Sequence, residues 1–331
     1  MASVTRVEHD PFVGQIDFCS AAVDGEIVSF SDQYFADAVN LLNPEPPIRR
    51  AGYYVPTGAW FDGWETRRHN KQPTDWVIIK LGVTGTAVGC EVDTAFFNGN
   101  EAPAISLEAC IVHEGEDVTV AKWEEIVPKT PCGPSQRHFF KFPTPVDKLY
   151  THVRLHQHPD GGIARFRLFG TVSPRFPEDK NVVLDLCSVK NGAVAEACSD
   201  QHFGRKENLL LPGRGKDMGD GWETARSRAE GHCDWAIIKL GAPTMPESVT
   251  IDTAFFRGNF PQRAEVYGAS VPSQANSATE WKLLVGDEMS ADAEHTLPVE
   301  PGSFAEPITH VKLVIYPDGG VKRLRVFGKR S

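Results

Sequence analysis

Short apolar stretches rich in Val, Ile and Phe, punctuated by turn dipeptides, run the length of this chain. That pattern predicts strands rather than helices. Residues 76–81 and 235–240 are almost continuously apolar, as expected of central strands buried on both faces. Residues 92–97 predict a second strand of the same kind. Residues 151–158 alternate, break at Pro159-Asp160-Gly161-Gly162, and resume over 163–169. Gly161 and Gly162 allow the positive φ of a tight turn, so a β-hairpin is expected here and again over 309–327. Helix signals are sparse. Residues 32–42 and 200–210 are short helix candidates that share an Asp-Gln-x-Phe start. Several short strands per ~150 residues, with little helix, predict an all-β sandwich or jelly roll.

The pattern occurs twice. Asp62-Gly63-Trp64-Glu65-Thr66 returns as Asp220-Gly221-Trp222-Glu223-Thr224, an offset of 158. Asp75-Trp76 through Leu81-Gly82 returns as Asp234-Trp235 through Leu240-Gly241, and Asp93-Thr94-Ala95-Phe96-Phe97 returns as Asp252-Thr253-Ala254-Phe255-Phe256. Thr151-His152-Val153 with its Pro-Asp-Gly-Gly returns from Thr309. Four blocks in one order at nearly constant spacing describe a duplicated domain, since the period far exceeds that of a solenoid repeat. The expected domains are residues 1–173 and 174–331, divided at the proline- and charge-bearing stretch 173–179. The first copy is longer between the helix signal and Asp-Gly-Trp: residues 43–61 include Pro44, Pro46 and Pro47, where the second copy has only 211–219. That insertion is either a cover for a pocket or partner surface, or a tolerated surface loop.

At 331 residues each copy is large enough to bury a core. An apolar fraction of 41% and a charged fraction of 24% describe a soluble globular chain, and no apolar run approaches the ~20 residues that span a bilayer. Net charge of −10 argues against nucleic-acid and acidic-membrane partners. The start, Met1-Ala2-Ser3-Val4-Thr5-Arg6, lacks a signal-peptide core and the Gly328-Lys329-Arg330-Ser331 end is no peroxisomal address, so a cytoplasmic protein is expected. The seven cysteines contain no Cys-x-x-Cys, which predicts neither a disulfide framework nor a thiolate zinc site.

The repeated blocks, above all Asp-Gly-Trp-Glu-Thr-Arg-Arg at 62–68 with Asp-Trp-x-Ile-Ile-Lys-Leu-Gly, Asp-Thr-Ala-Phe-Phe-x-Gly-Asn and Thr-His-Val-x-Leu, resemble the allantoicase family over essentially the whole chain. The resemblance implies two tandem jelly-roll domains of the galactose-binding-like kind. It also implies hydrolysis of allantoate to ureidoglycolate and urea in purine breakdown.

Allantoate carries one carboxylate and two ureido groups on a single carbon. Its hydrolysis asks for a cation, preferably arginine, for the carboxylate, polar groups for the ureido N–H bonds, and a general acid for the departing nitrogen. Two regions supply such groups. In the 151–169 segment, strand alternation places His152, Arg154, His156 and His158 on one face. Pairing across a hairpin would add Arg165 and Arg167 to that face. The copy has Val314 and Tyr316 in place of His156 and His158, and the plain alternative is a solvated basic sheet face. In 62–69, Asp62 and Glu65 sit with Arg67, Arg68 and His69, with Glu65 as acid or base and an arginine as carboxylate clamp. Here the alternative is a turn whose Trp64 anchors the core while its charges cap backbone groups. Asn100, after Asn98-Gly99, is expected to border the same pocket; for Asp93 and Asp252 a loop-fixing role is the stronger reading. The catalytic candidates are therefore Glu65, His152, His156 and Asp62, and the substrate-binding candidates Arg67, Arg68, Arg154, Arg165, Arg167 and Asn100. No cofactor is demanded by a motif. A divalent metal on His156 and His158 stays open, although no third ligand is evident from spacing. A homo-oligomer is expected from the exposed sheet edges. The competing reading is a jelly-roll carbohydrate- or ligand-binding module without catalysis.

Overall fold

The computed structural model describes residues 4–113, 115–270 and 280–331. Met1, Ala2 and Ser3 of the terminal segment discussed above lie outside the described residues. The chain divides into two compact units, Met1–Ser173 and Pro174–Ser331. Both are all-β, with short 3-10 turns and no α-helix among the described residues.

Unit one packs two five-stranded antiparallel sheets. One runs in the order Thr5–Val7, Arg137–Val146, Gly85–Asp93, Arg165–Val172, Ile16–Asp17. The other runs Glu124–Pro131, Ala104–Cys110, His152–Gln157, Asp75–Lys80, Glu26–Phe30. Alternate residues bury into the core, among them Val77, Ile79, Leu107, Val153 and Leu155 from the second sheet. Val92, Phe140 and Phe166 are buried from the first. Phe12, Phe139 and Phe169 form a separate buried cluster. In unit two the strand Asp234–Asp252 stays continuous for 19 residues, where unit one has two strands. Its first part pairs with Ile308–Tyr316 and its last part with Arg323–Arg330.

Four expectations change. The 151–169 segment is no hairpin: His152–Gln157 pairs with Asp75–Lys80 and Ala104–Cys110, whereas Arg165–Val172 belongs to the opposite sheet beside Gly85–Asp93. Between them the chain crosses over, and Gly162–Ile163 pairs with Trp64–Glu65. The two glycines permit close approach here rather than a two-residue turn. A Cβ on Gly161 would lie 2.6 Å from the Glu101 carbonyl oxygen, and one on Gly162 2.1 Å from the Phe97 ring. The strand predicted over 92–97 ends at Asp93, whose carboxylate accepts from the Ala95 N–H at 2.7 Å. Phe96 then takes φ 69° and its twin Phe255 φ 68°. The helix candidates shrink to 3-10 turns at Ala38–Leu42 and Lys206–Leu210. The run 235–240 is also less buried than its composition predicts: Trp235 and Ile237 are half-buried and Lys239 is exposed.

Candidate active site

The crossover gathers the repeated motifs at one end of each unit. Trp64 is fully buried and its indole N–H donates to the Asp32 carbonyl at 2.8 Å; Trp222 does the same to Asp200 at 2.9 Å. Two aspartates then shape the following loop. Asp32 accepts from the Arg67 N–H at 2.7 Å and holds the Arg67 guanidinium through one carboxylate oxygen at 2.8 and 3.1 Å. Asp160 accepts from the His69 N–H at 2.9 Å. Asp200 and Asp318 cap Ala225 and Ser227 in the same way in unit two. Sequence reasoning gave Asp32 and Asp160 no role, although both lie inside repeated blocks.

Several candidate charges are held in scaffold pairs. Arg165 is fully buried; it donates to the Asp62 carboxylate at 2.8 Å and to the Glu45 carbonyl at 2.9 Å. Asp62 also accepts from the Ile48 N–H at 2.9 Å, so the 43–61 insertion is stitched onto this pair. Arg167 donates to Asp17 at 3.1 Å and to the carbonyls of Asn43 and Pro44. Arg67 stacks over Tyr34 at 5.2 Å while bound to Asp32. These groups are satisfied within the fold.

Glu65 differs. It is 9% exposed. Asn100 donates to its Oε1 at 2.8 Å, and its Oε2 has no hydrogen bond among the described residues. Burial raises the Glu65 carboxyl above its ordinary value, against the Asn100 hydrogen bond and the nearby Arg68 charge. Arg68 donates to the Gly99 carbonyl at 2.5 Å, lies 3.7 Å from Asp160, and leaves half of its side chain exposed. Asn100 is fixed in turn by accepting from the Asn98 N–H at 3.1 Å. Glu65, Asn100 and Arg68 are therefore brought together.

The histidine face is real but separate. Arg154 and His156 are half-buried on the outer face, while His152 on that face is buried, as are Val153, Leu155 and Gln157. Arg165 and Arg167 are in the other sheet, so the shared surface expected from a hairpin does not form. His152 begins a six-residue strand whose far end leads to Gly162, the partner of Glu65. At ~3.3 Å per residue the strand is about 17 Å long, and His152 stands at the end away from that crossover. Glu108 organises the middle of the face: Arg154 donates to it at 2.7 Å and His156 Nε2 lies 2.8 Å from it. Arg154 also stacks over Trp123 at 4.5 Å. His158 Nε2 lies 2.9 Å from Ser106 Oγ. Burial, with Lys129 and His156 adding to it, lowers His158 to about 4.

As a metal site this face does not fit. The rings of His156 and His158 are 6.2 Å apart and their Nε2 atoms are taken by Glu108 and Ser106. Among the described residues no group of three or more His, Cys, Asp or Glu is arranged to hold an ion.

Fold and site together define a duplicated jelly-roll protein with a buried carboxyl at the crossover end of its sandwich. The allantoicase repeat family matches residues 16–173 and again 184–331. Allantoicase of Neurospora crassa is 54% identical over 326 residues, covering 96% of this chain and 92% of that protein. Allantoicase of Saccharomyces cerevisiae is 50% identical over 324 residues, covering 95% and 93%. The crystal structure of the Saccharomyces cerevisiae enzyme matches with a TM-score of 0.80 at 49% identity, over 95% of this chain and 93% of that one. The chain belongs to the allantoicase family.

Proposed function

We propose that allantoate is hydrolysed at the crossover end of repeat one, with Glu65 as proton donor, Asn100 as its positioning partner and Arg68 as the cation for the substrate carboxylate. The protein is a hydrolase of purine breakdown that converts allantoate and water to ureidoglycolate and urea. Membership of this family over the full length of both repeats favours catalysis over a binding module. What carries the assignment of residues is the Glu65 carboxyl: buried, raised, bound by Asn100 through one oxygen and free of protein hydrogen bonds at the other.

The reaction divides into two proton transfers on that one group. Protonated Glu65 gives its proton to the nitrogen of the departing urea as the carbon–nitrogen bond breaks. The lone pair of the remaining ureido nitrogen forms a carbon–nitrogen double bond and so supports the departure. Water then adds to the carbon and returns a proton to the Glu65 carboxylate, which leaves the hydroxyl of ureidoglycolate and restores the acid. General acid–base assistance of this kind contributes about 10²–10⁴-fold. Arg68 holds the carboxylate through both stages. Asp62, Arg67, Arg165 and Arg167 support the walls of the site through the pairs already described, and His152, His156 and Arg154 take no part in the chemistry.

Steady-state kinetics of Arg68→Ala and Asn100→Ala test this division. Loss of a charge-assisted hydrogen bond costs about 1.5–3 kcal/mol, so Arg68→Ala is expected to raise KM by about 10–100-fold. Asn100→Ala is expected to lower kcat instead. An unchanged KM in Arg68→Ala contradicts the assignment. No helix among the described residues is long and apolar enough to cross a membrane. We place the protein in the cytoplasm on its seven unpaired cysteines, a composition that suits a reducing compartment. We also expect self-association, which light scattering of the full chain reads directly.

A further inference from the structure

In repeat two, Asn259 donates to Glu223 Oε1 as Asn100 does to Glu65, and Arg226, three residues after Glu223, is the sequence counterpart of Arg68. The second oxygen of Glu223 again has no hydrogen bond among the described residues, and Arg226 has no partner there. The flanking positions have changed. Arg67 is replaced by Ala225, His69 by Ser227, Asn98 by Arg257 and Glu101 by Phe260. The recurring ion pairs, Asp62–Arg165 with Asp220–Arg323 and Asp17–Arg167 with Asp185–Arg325, each close on themselves. Glu223, Asn259 and Arg226 do not. A carboxylate with a vacant acceptor oxygen suits a ureido N–H, and an unpartnered guanidinium suits a carboxylate.

We propose that the crossover end of repeat two is a second binding site for a ureido-carboxylate ligand, built from Glu223, Asn259 and Arg226. The inference rests on the reading of Glu65, Asn100 and Arg68 in repeat one. The duplication copied a ligand-binding set, and divergence around it left the set in place. Each chain then takes up two ligand molecules, one per repeat.

The probe is radiolabelled N-carbamoylglycine, which carries one ureido group and one carboxylate but lacks the second ureido nitrogen needed for cleavage. Equilibrium dialysis against the full chain is expected to saturate at two molecules per chain. Glu223→Gln is expected to reduce this to one, with turnover of allantoate still present. Asn259→Ala, which keeps the carboxylate but removes its amide partner, is expected to weaken the second site by about tenfold, the loss of one hydrogen bond of ~1.4 kcal/mol. Saturation at one molecule, unchanged in both repeat-two variants and abolished in Glu65→Gln, overturns the inference and leaves repeat one as proposed. Binding and turnover that persist unchanged in Glu65→Gln contradict the repeat-one reading instead. No saturable binding to the wild-type chain overturns the second site.

Discussion

The two crossover ends solve one packing problem with different parts. Each buries an arginine, Arg165 or Arg323, against an aspartate on the Asp-Gly-Trp turn, Asp62 or Asp220. In repeat one the long 43–61 loop covers the pair, contributing the Glu45 carbonyl and the Ile48 N–H. In repeat two the loop is short, and Lys322 fills in from the position of Ala164. Its ammonium contacts Asp220 and the Asp217 carbonyl and lies over the Phe255 ring at 5.1 Å. Burial lowers Lys322 to about 7, with Arg323 adding to the effect. The comparison separates scaffold from site: the Asp–Arg pair keeps its partners whatever covers it, while Glu65 and Glu223 keep an oxygen unclaimed.

Breaking the scaffold pair gives the largest effect and sharpens this difference. Removing one partner of a buried ion pair costs about 3–5 kcal/mol. Arg165→Ala is expected to lose that much in urea denaturation, because Asp62 keeps only the Ile48 N–H. Arg323→Ala is expected to lose less below about pH 7, where Lys322, relieved of the neighbouring Arg323 charge, faces Asp220 as an ammonium. Equal losses in the two variants would show that Lys322 is no substitute for the loop.

A pH series probes the site rather than its frame. Burial raises the Glu65 carboxyl above 4.5, so the folded chain holds this proton where the unfolded chain has released it. Stability from this group is therefore lost as pH rises from the unfolded value through the folded one. The acid form that donates to urea is lost over the same window. Turnover is expected to fall as pH rises through it, and Glu65→Gln is expected to flatten the thermal stability profile there. A wild-type profile no steeper than that of Glu65→Gln contradicts the assignment.

The core offers a smaller difference. Gln157 is fully buried, opposite Asp75 and Ile105 in the neighbouring strands, and neither its Oε1 nor its Nε2 has a partner among the described residues, while repeat two has Ile315 at that position. An unsatisfied buried polar group costs about 1–3 kcal/mol, so Gln157→Ile is expected to raise stability by that order in chemical denaturation. The least effect is expected on the histidine face. His156→Ala should leave kcat/KM for allantoate near the wild-type value, because the His156 ring nitrogens lie against Glu108 and Thr74 rather than against Glu65, Asn100 or Arg68.

Periodicity revealed the strands and duplication revealed the repeats, because both are written in local spacing. The sheet to which a strand belongs is not. The His152 and Arg165 strands were joined by what reads as a turn, and only the pairing of Gly162–Ile163 with Trp64–Glu65 sends them to opposite sheets. The same limit applies to charges. Arg67, Arg68, Arg165 and Arg167 are equivalent in sequence, yet three donate to Asp32, Asp62 and Asp17, while Arg68 donates to the Gly99 carbonyl and lies 3.7 Å from Asp160. Glu65 and Asn100 stand 35 residues apart and meet only because the 98–100 loop folds back onto the Trp64–Glu65 strand. Burial of a carboxyl is a property of that closure, and nothing in the Gly-Trp-Glu motif alone reports it.

The most direct measurement is the initial rate of urea release from allantoate by folded Glu65→Gln beside folded His156→Ala. A loss of about 10²–10⁴-fold in the first variant, with near wild-type turnover in the second, is the result predicted here. Full turnover in Glu65→Gln with loss in His156→Ala would contradict it and return the chemistry to the outward sheet face.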